Sequence, residues 1–178
     1  MLPESYKWLE KEPAPQILIE FINIHGTLEA PGHADNPLIL HWSKECGVAD
    51  IYTHDSIPWC ALAMTLCAKR AGLPHPKGYP ALRAATFAAW GAQQRQAMLG
   101  DVLVLERLNG AHTGLYVAED DKCFHVIGGN QRDSVNITRI DKSRIKAIRR
   151  TPWEIGKQPP NIRRVFVNPI GEVSTNEI

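Results

Sequence analysis

Cys60 follows Pro58-Trp59 and opens the run Ala61-Leu-Ala-Met-Thr-Leu-Cys-Ala-Lys-Arg70, which Gly72 and Pro74 close. Proline at the front, then glycine and proline at the back, are start and stop signals of a helix. With Ser56 or Ile57 as cap, Cys60 falls in the first turn. Backbone N–H groups are unpaired there and the helix dipole favours negative charge. A thiol so placed can ionise near neutral pH and attack a carbonyl carbon. The competing reading makes Cys60 a small buried hydrophobe, which Cys67, on the stripe Cys60, Met64, Cys67, Ala71, is expected to be.

A cysteine nucleophile needs a base, and the base needs a group to orient it. His112 suits the first role, because it stands in Asn109-Gly-Ala-His-Thr-Gly-Leu-Tyr-Val117, at the start of a strand just after a glycine loop. Two residues compete for the second. Asn130 follows two glycines in Gly128-Gly-Asn-Gln-Arg132, and His125 precedes it on the same strand. Five positions separate them, so in a regular strand they point to opposite faces and one of them at most faces His112. An amide suffices, since it has only to accept the imidazole N–H and fix the tautomer. Trp59 and Gln131 flank these residues as candidate substrate or oxyanion contacts, with Trp59 equally readable as a core aromatic.

The elements that must position this set divide the chain in two. Helical runs are expected over residues 15–25, over 36–46 with Asn36 as cap and Pro37 following, over the Cys60 segment, and over Pro80 to Trp90. After Gly100-Asp101 the pattern becomes short, apolar and β-branched. Strands are expected at 102–105, 113–118, 123–127, 134–140 and 145–149, with Glu119-Asp120-Asp121 turning a hairpin between the second and third. Helices first and strands second predict an α+β domain, with N-terminal helices packed on a C-terminal antiparallel sheet. Residues 1–14 read as an extension, 15–167 as a single domain and 168–178 as a frayed tail.

Composition bounds the function. At 178 residues and 44% hydrophobic, the chain can bury a real core. No stretch approaches the ~18 apolar residues of a membrane span, and the N-terminus lacks the basic start and apolar middle of a secretory signal. Synthesis in the cytoplasm is expected, with any export by another route. The four cysteines show neither paired zinc spacing nor a disulfide framework. A net charge of +1 argues against a dedicated nucleic-acid binder. Nine of the basic residues nevertheless lie between Arg139 and Arg164, opposed only by Asp141 and Glu154. That run reads either as a docking face for an anionic envelope surface or, by its parity, as a solvated strand face. Asp50, Tyr52, His54 and Asp55 supply too few oxygens for calcium, and Cys60, His112 and His125 lack zinc spacing, so no metal or cofactor is expected. His25, His33, His41 and His75 read as surface or packing residues.

Six stretches in order, Gly26-Thr-Leu-Glu-Ala-Pro-Gly32, Asn36-Pro37, Asp55-Ser-Ile-Pro-Trp-Cys-Ala61, Gly100-Asp101-Val-Leu-Val104, His112-Thr-Gly-Leu-Tyr-Val117 and Gly128-Gly-Asn-Gln131, resemble the NlpC/CHAP-like peptidoglycan hydrolases of the papain-like superfamily. The resemblance spans about residues 15–150. It implies a papain-like NlpC/CHAP fold and a cysteine amidase or endopeptidase acting on cell-wall peptides, with peptidoglycan as partner. A monomer is expected. Matched by motif, Cys60 is the nucleophile, His112 the base and Asn130 the polar third residue, with His125 as the alternative that the NlpC branch favours. A phage lysin released through a holin or injected, acting in the periplasm or cell wall, is the first expectation. A secreted bacterial effector toxin with the same chemistry, or a catalytically silent wall-binding or structural module, are the others.

Overall fold

The computed structural model describes residues 1–151, 162–169 and 171–175. The chain builds an α+β architecture in which three helices, α1 (Gln16–Asn23), α2 (Pro37–Glu45) and α3 (Cys60–Arg70), precede a sheet. Seven strands follow: β1 (Ala92–Gln93), β2 (Val102–Arg107), β3 (Gly110–Glu119), β4 (Cys123–Gly128), β5 (Asn136–Asp141), β6 (Ile145–Arg150) and β7 (Val173–Ser174), in the order β1-β6-β2-β3-β4-β5-β7. Every pairing is antiparallel except β5 with β7. The sheet is therefore mixed, and not purely antiparallel as expected.

Helix starts follow side-chain chemistry where it is present. The Asn36 side chain accepts from the Leu38 N–H at 2.8 Å, and Pro37 occupies the first turn without wasting a donor. The start of α3 differs from expectation. Its cap is Trp59, not Ser56 or Ile57, so Cys60 is the first helical residue. Every residue of α3 from Cys60 to Ala68 is buried, which explains why its apolar pattern runs all round the helix.

Alternation along the strands gives the sheet two apolar faces. Val102, Val104, Leu115, Val117 and Ile127 join the helices in the main core, while Leu103, Leu105, Tyr116, Phe124, Val126 and Ile140 form a second cluster on the far face. Burial on both sides accounts for strands that read as continuous apolar runs.

Three expectations are corrected. Residues 80–90 form no α-helix. Two 3-10 stretches, Tyr79–Leu82 and Ala84–Ala89, replace it, because Arg83 between them is extended and interrupts the ladder. Residues 1–14 are more than an appendage, since Leu2, Tyr6 and Leu9 are buried in the core around a 3-10 turn at Glu4–Glu10. The tail is not frayed where it is described, for β7 pairs with β5 and Ser174 is buried.

The basic run is mostly answered by acids of the same chain. Arg150 grips Asp101 through two bonds of 2.8 and 2.7 Å, Arg164 grips Glu119 at 2.6 and 2.8 Å, Arg139 reaches Asp120 at 2.8 Å, and Lys142 also meets Glu119. This pairing favours the strand-face reading over a free cationic patch. Lys157 and Glu154 lie outside the described residues. Burial alone would raise the Glu119 carboxyl, but the cations of Arg164 and Lys142 outweigh it and hold the group down to about 2. A depressed folded-state value contributes stability above the ordinary carboxylate range and loses it as pH falls toward 2. Acid unfolding of the wild type is expected to steepen between pH 4 and 2, and Glu119→Gln should be less stable at pH 7 with a flatter acid limb. Urea midpoints across that range check it.

Candidate active site

Between β3 and β4 the regular ladder starts at Leu115 opposite Ile127, beyond His112 and Thr113. The first turn of α3 packs against the chain as it leaves β4. Gly129 permits the close approach: a Cβ there would lie 2.7 Å from the Ala63 Cβ and 2.8 Å from the Trp59 ring. Both neighbours are fully buried, so neither can give way. Gly129→Ala is accordingly expected to cost about 1–3 kcal/mol by overpacking, read as a lowered denaturation midpoint with unchanged slope.

The sulfur of Cys60 faces β3 near Thr113. The backbone N–H groups of Thr113, Ala61 and Cys60 itself favour its charged form. The Arg107 charge pulls the same way. Burial pulls harder in the other direction. With 4% of the residue exposed, the thiol is pushed up from its ordinary value. The expected thiolate near neutral pH is thus corrected: desolvation outweighs the helix N-terminus, and the resting group is a protonated thiol beside aimed donors.

His112 lies on the far face of the sheet, opposite Leu105 and in line with Tyr116. Its Nε2 stands 3.0 Å from Gln131 Oε1. The direction of that bond follows from the other end of the amide. Gln131 Nε2 donates to the Val126 carbonyl at 3.2 Å, the Asn136 carbonyl at 2.7 Å and Asn136 Oδ1 at 3.0 Å, so the oxygen must face the imidazole. His112 Nε2 therefore carries the proton and Nδ1 the lone pair. A base with its tautomer fixed is the arrangement general-base chemistry needs.

The third position goes to a residue that sequence reasoning assigned elsewhere. Asn130 has a left-handed φ of 55° and makes no side-chain hydrogen bond among the described residues. It turns the chain so that Gln131, next in line, reaches back to His112. Gln131 is 1% exposed with its amide committed, so it is a positioning group and not a substrate contact. The alternative, His125, is held on the helix side of the sheet, its Nδ1 2.6 Å from the Tyr6 hydroxyl and its Nε2 2.9 Å from Asp120. Trp59 is likewise no substrate contact. It is fully buried, donates to Glu29 at 2.9 Å and packs against Trp42 at 6.0 Å between centroids.

Comparison of the chain with protein-family models, with curated proteins and with solved structures found no match. Beside the strand start that carries His112 lies a groove of about 400 Å³, walled by Ala84, Ala88, Gly110 and Ala111 and flanked by Arg83 and Lys146. Among the described residues no group of three or more histidines, cysteines or acids could hold a metal ion. Asp55, weighed above as a calcium ligand, instead accepts the N–H groups of Ala30 and Asn36 at 2.8 Å each and ties the 26–36 link to the entrance of α3. No helix of the described residues is long and apolar enough to cross a membrane.

Proposed function

We propose that the protein is a thiol-dependent amide hydrolase acting on the peptides of bacterial peptidoglycan, with a papain-like arrangement of the NlpC/CHAP type. The observation that carries the reading is the junction at the start of β3, where a helix-leading thiol faces the strand near Thr113, next to a histidine whose tautomer Gln131 fixes. The ordered motifs from Gly26 to Gln131 supply the substrate class.

In this mechanism the Cys60 proton reaches His112 round the start of β3, by way of a water, as the sulfur attacks the amide carbonyl carbon, because strand alternation sets the imidazole on the face away from α3. The oxyanion that forms is met by backbone N–H groups at the start of α3. The C–N bond breaks as His112 gives the proton to the departing amine, leaving a thioester on Cys60. Water, losing a proton to His112, then attacks the thioester and breaks the C–S bond, and His112 returns that proton to the departing sulfur to restore the thiol. Because the resting sulfur is protonated, attack and proton transfer are coupled, and Gln131 keeps the imidazole in the accepting tautomer throughout.

A lysin delivered to the wall by holin-type release or injection remains our reading of its biological setting. The test is mass spectrometry of muropeptides after incubating purified sacculi with the protein. New termini at one amide bond support the proposal, and an unchanged muropeptide profile across several wall chemotypes sinks it.

A further inference from the structure

Arg107 ends β2 two positions beyond Leu105, the residue paired with His112. Strand alternation puts its side chain on the same face as that imidazole, about 7 Å further along. Its Nε and Nη1 are buried and have no hydrogen-bond partner among the described residues. Of the other sheet arginines, Arg139, Arg150 and Arg164 are each matched to a carboxylate and Arg144 reaches the Glu106 and Ser174 carbonyls, while Arg149 on β6 has one such buried nitrogen against the two of Arg107, among the described residues. A guanidinium cannot shed its proton, so sheltered donors without acceptors are costly and call for a partner. The one acid on the adjoining position, Glu106, points to the other face and meets Lys146 at 3.1 Å. The charge of Arg107 is also felt at the Cys60 sulfur, which places it within electrostatic range of the reacting atoms.

We propose that Arg107 is a specificity-determining residue that binds a free carboxylate of the substrate peptide, close to the bond being cut. The proposal rests on the hydrolase reading and deepens it. Wall peptides contain such a group, the free α-carboxylate of a γ-linked glutamate, which many bacteria convert to an amide. Charge-assisted hydrogen bonds to Arg107 would favour the acid form, and the amide form would leave the buried donors poorly met.

The test compares two muropeptides that differ only in whether this glutamate carries a carboxylate or a carboxamide. Wild type is expected to favour the carboxylate about 30-fold or more in kcat/KM. Arg107→Gln should erase the preference by losing rate on the acid substrate alone, and Arg107→Lys should restore part of it. Equal turnover of the two substrates by wild type, or an equal loss on both in Arg107→Gln, overturns the assignment. A binding arm separates the two layers, using Cys60→Ala protein titrated with the same pair by calorimetry. Tighter binding of the acid form that vanishes in the Cys60→Ala, Arg107→Gln double variant, in a protein whose wild type cuts neither peptide, would uphold the carboxylate site and reject hydrolysis. Cleavage by wild type with no carboxylate preference in binding would uphold hydrolysis and reject the site.

Discussion

Cys60→Ala is expected to abolish release of wall peptides, lowering kcat/KM by on the order of 10⁴-fold or more, as removal of a covalent nucleophile does. The fold should survive, since a small side chain replaces a small one at a helix start, and a denaturation midpoint close to wild type would show it. The companion measurement is the pH dependence of alkylation at Cys60, followed by peptide mapping to separate it from Cys46, Cys67 and Cys123. Burial raises the thiol, so the reactive thiolate should be scarce at neutral pH and increase as pH climbs past the ordinary thiol value of about 8.5. Labelling that is already maximal near pH 6 would reveal a standing thiolate and contradict the coupled proton transfer. Hydrolysis that persists in Cys60→Ala would remove the nucleophile from the account.

The second large effect belongs to Gln131. Gln131→Ala removes the acceptor that fixes the His112 tautomer and takes away the amide donor to the Val126 and Asn136 carbonyls. A loss of about 100-fold in kcat is expected, equivalent to roughly 3 kcal/mol, with a further stability cost of about 1–3 kcal/mol for the unmet polar groups. Gln131→Glu separates these contributions, because it keeps an oxygen toward His112 while deleting the donors. It should retain more activity than the alanine variant and shift the pH profile of kcat. Asn130→Gly is the control. Glycine accepts the left-handed φ of 55° at this turn, so activity should fall less than threefold. Equal losses at the two positions would return the orienting role to Asn130.

Much of the frame was legible because it is written in local chemistry. Asn36-Pro37 starts a helix through a side-chain cap and a ring that needs no donor, and both act within four residues. The strands from Val102 to Arg150 show in their β-branched apolar runs, and Cys60 stands out because prolines and glycines bracket its helix. The choice between Asn130 and Gln131 was not legible. It depends on three left-handed residues other than glycine, Asn130, Arg132 and Asp133, on either side of Gln131 in a tight turn, and no composition rule predicts where such a turn aims the side chain beside it. The nearest sequence signal was the Ser134 and Asn136 pair, whose side chains bond the Gln131 carbonyl at 2.9 and 2.7 Å and pin that turn.

Residue type and spacing by themselves determined that helices precede a sheet, that a thiol leads the third helix and that a histidine opens a strand, since propensity, capping and periodicity are short-range effects. Tertiary structure alone decided the state of that thiol and the partner of that histidine. Desolvation and hydrogen-bond direction depend on which distant segments pack together, and here the start of α3 packs on Gly129 while the turn after β4 folds its glutamine back to the imidazole.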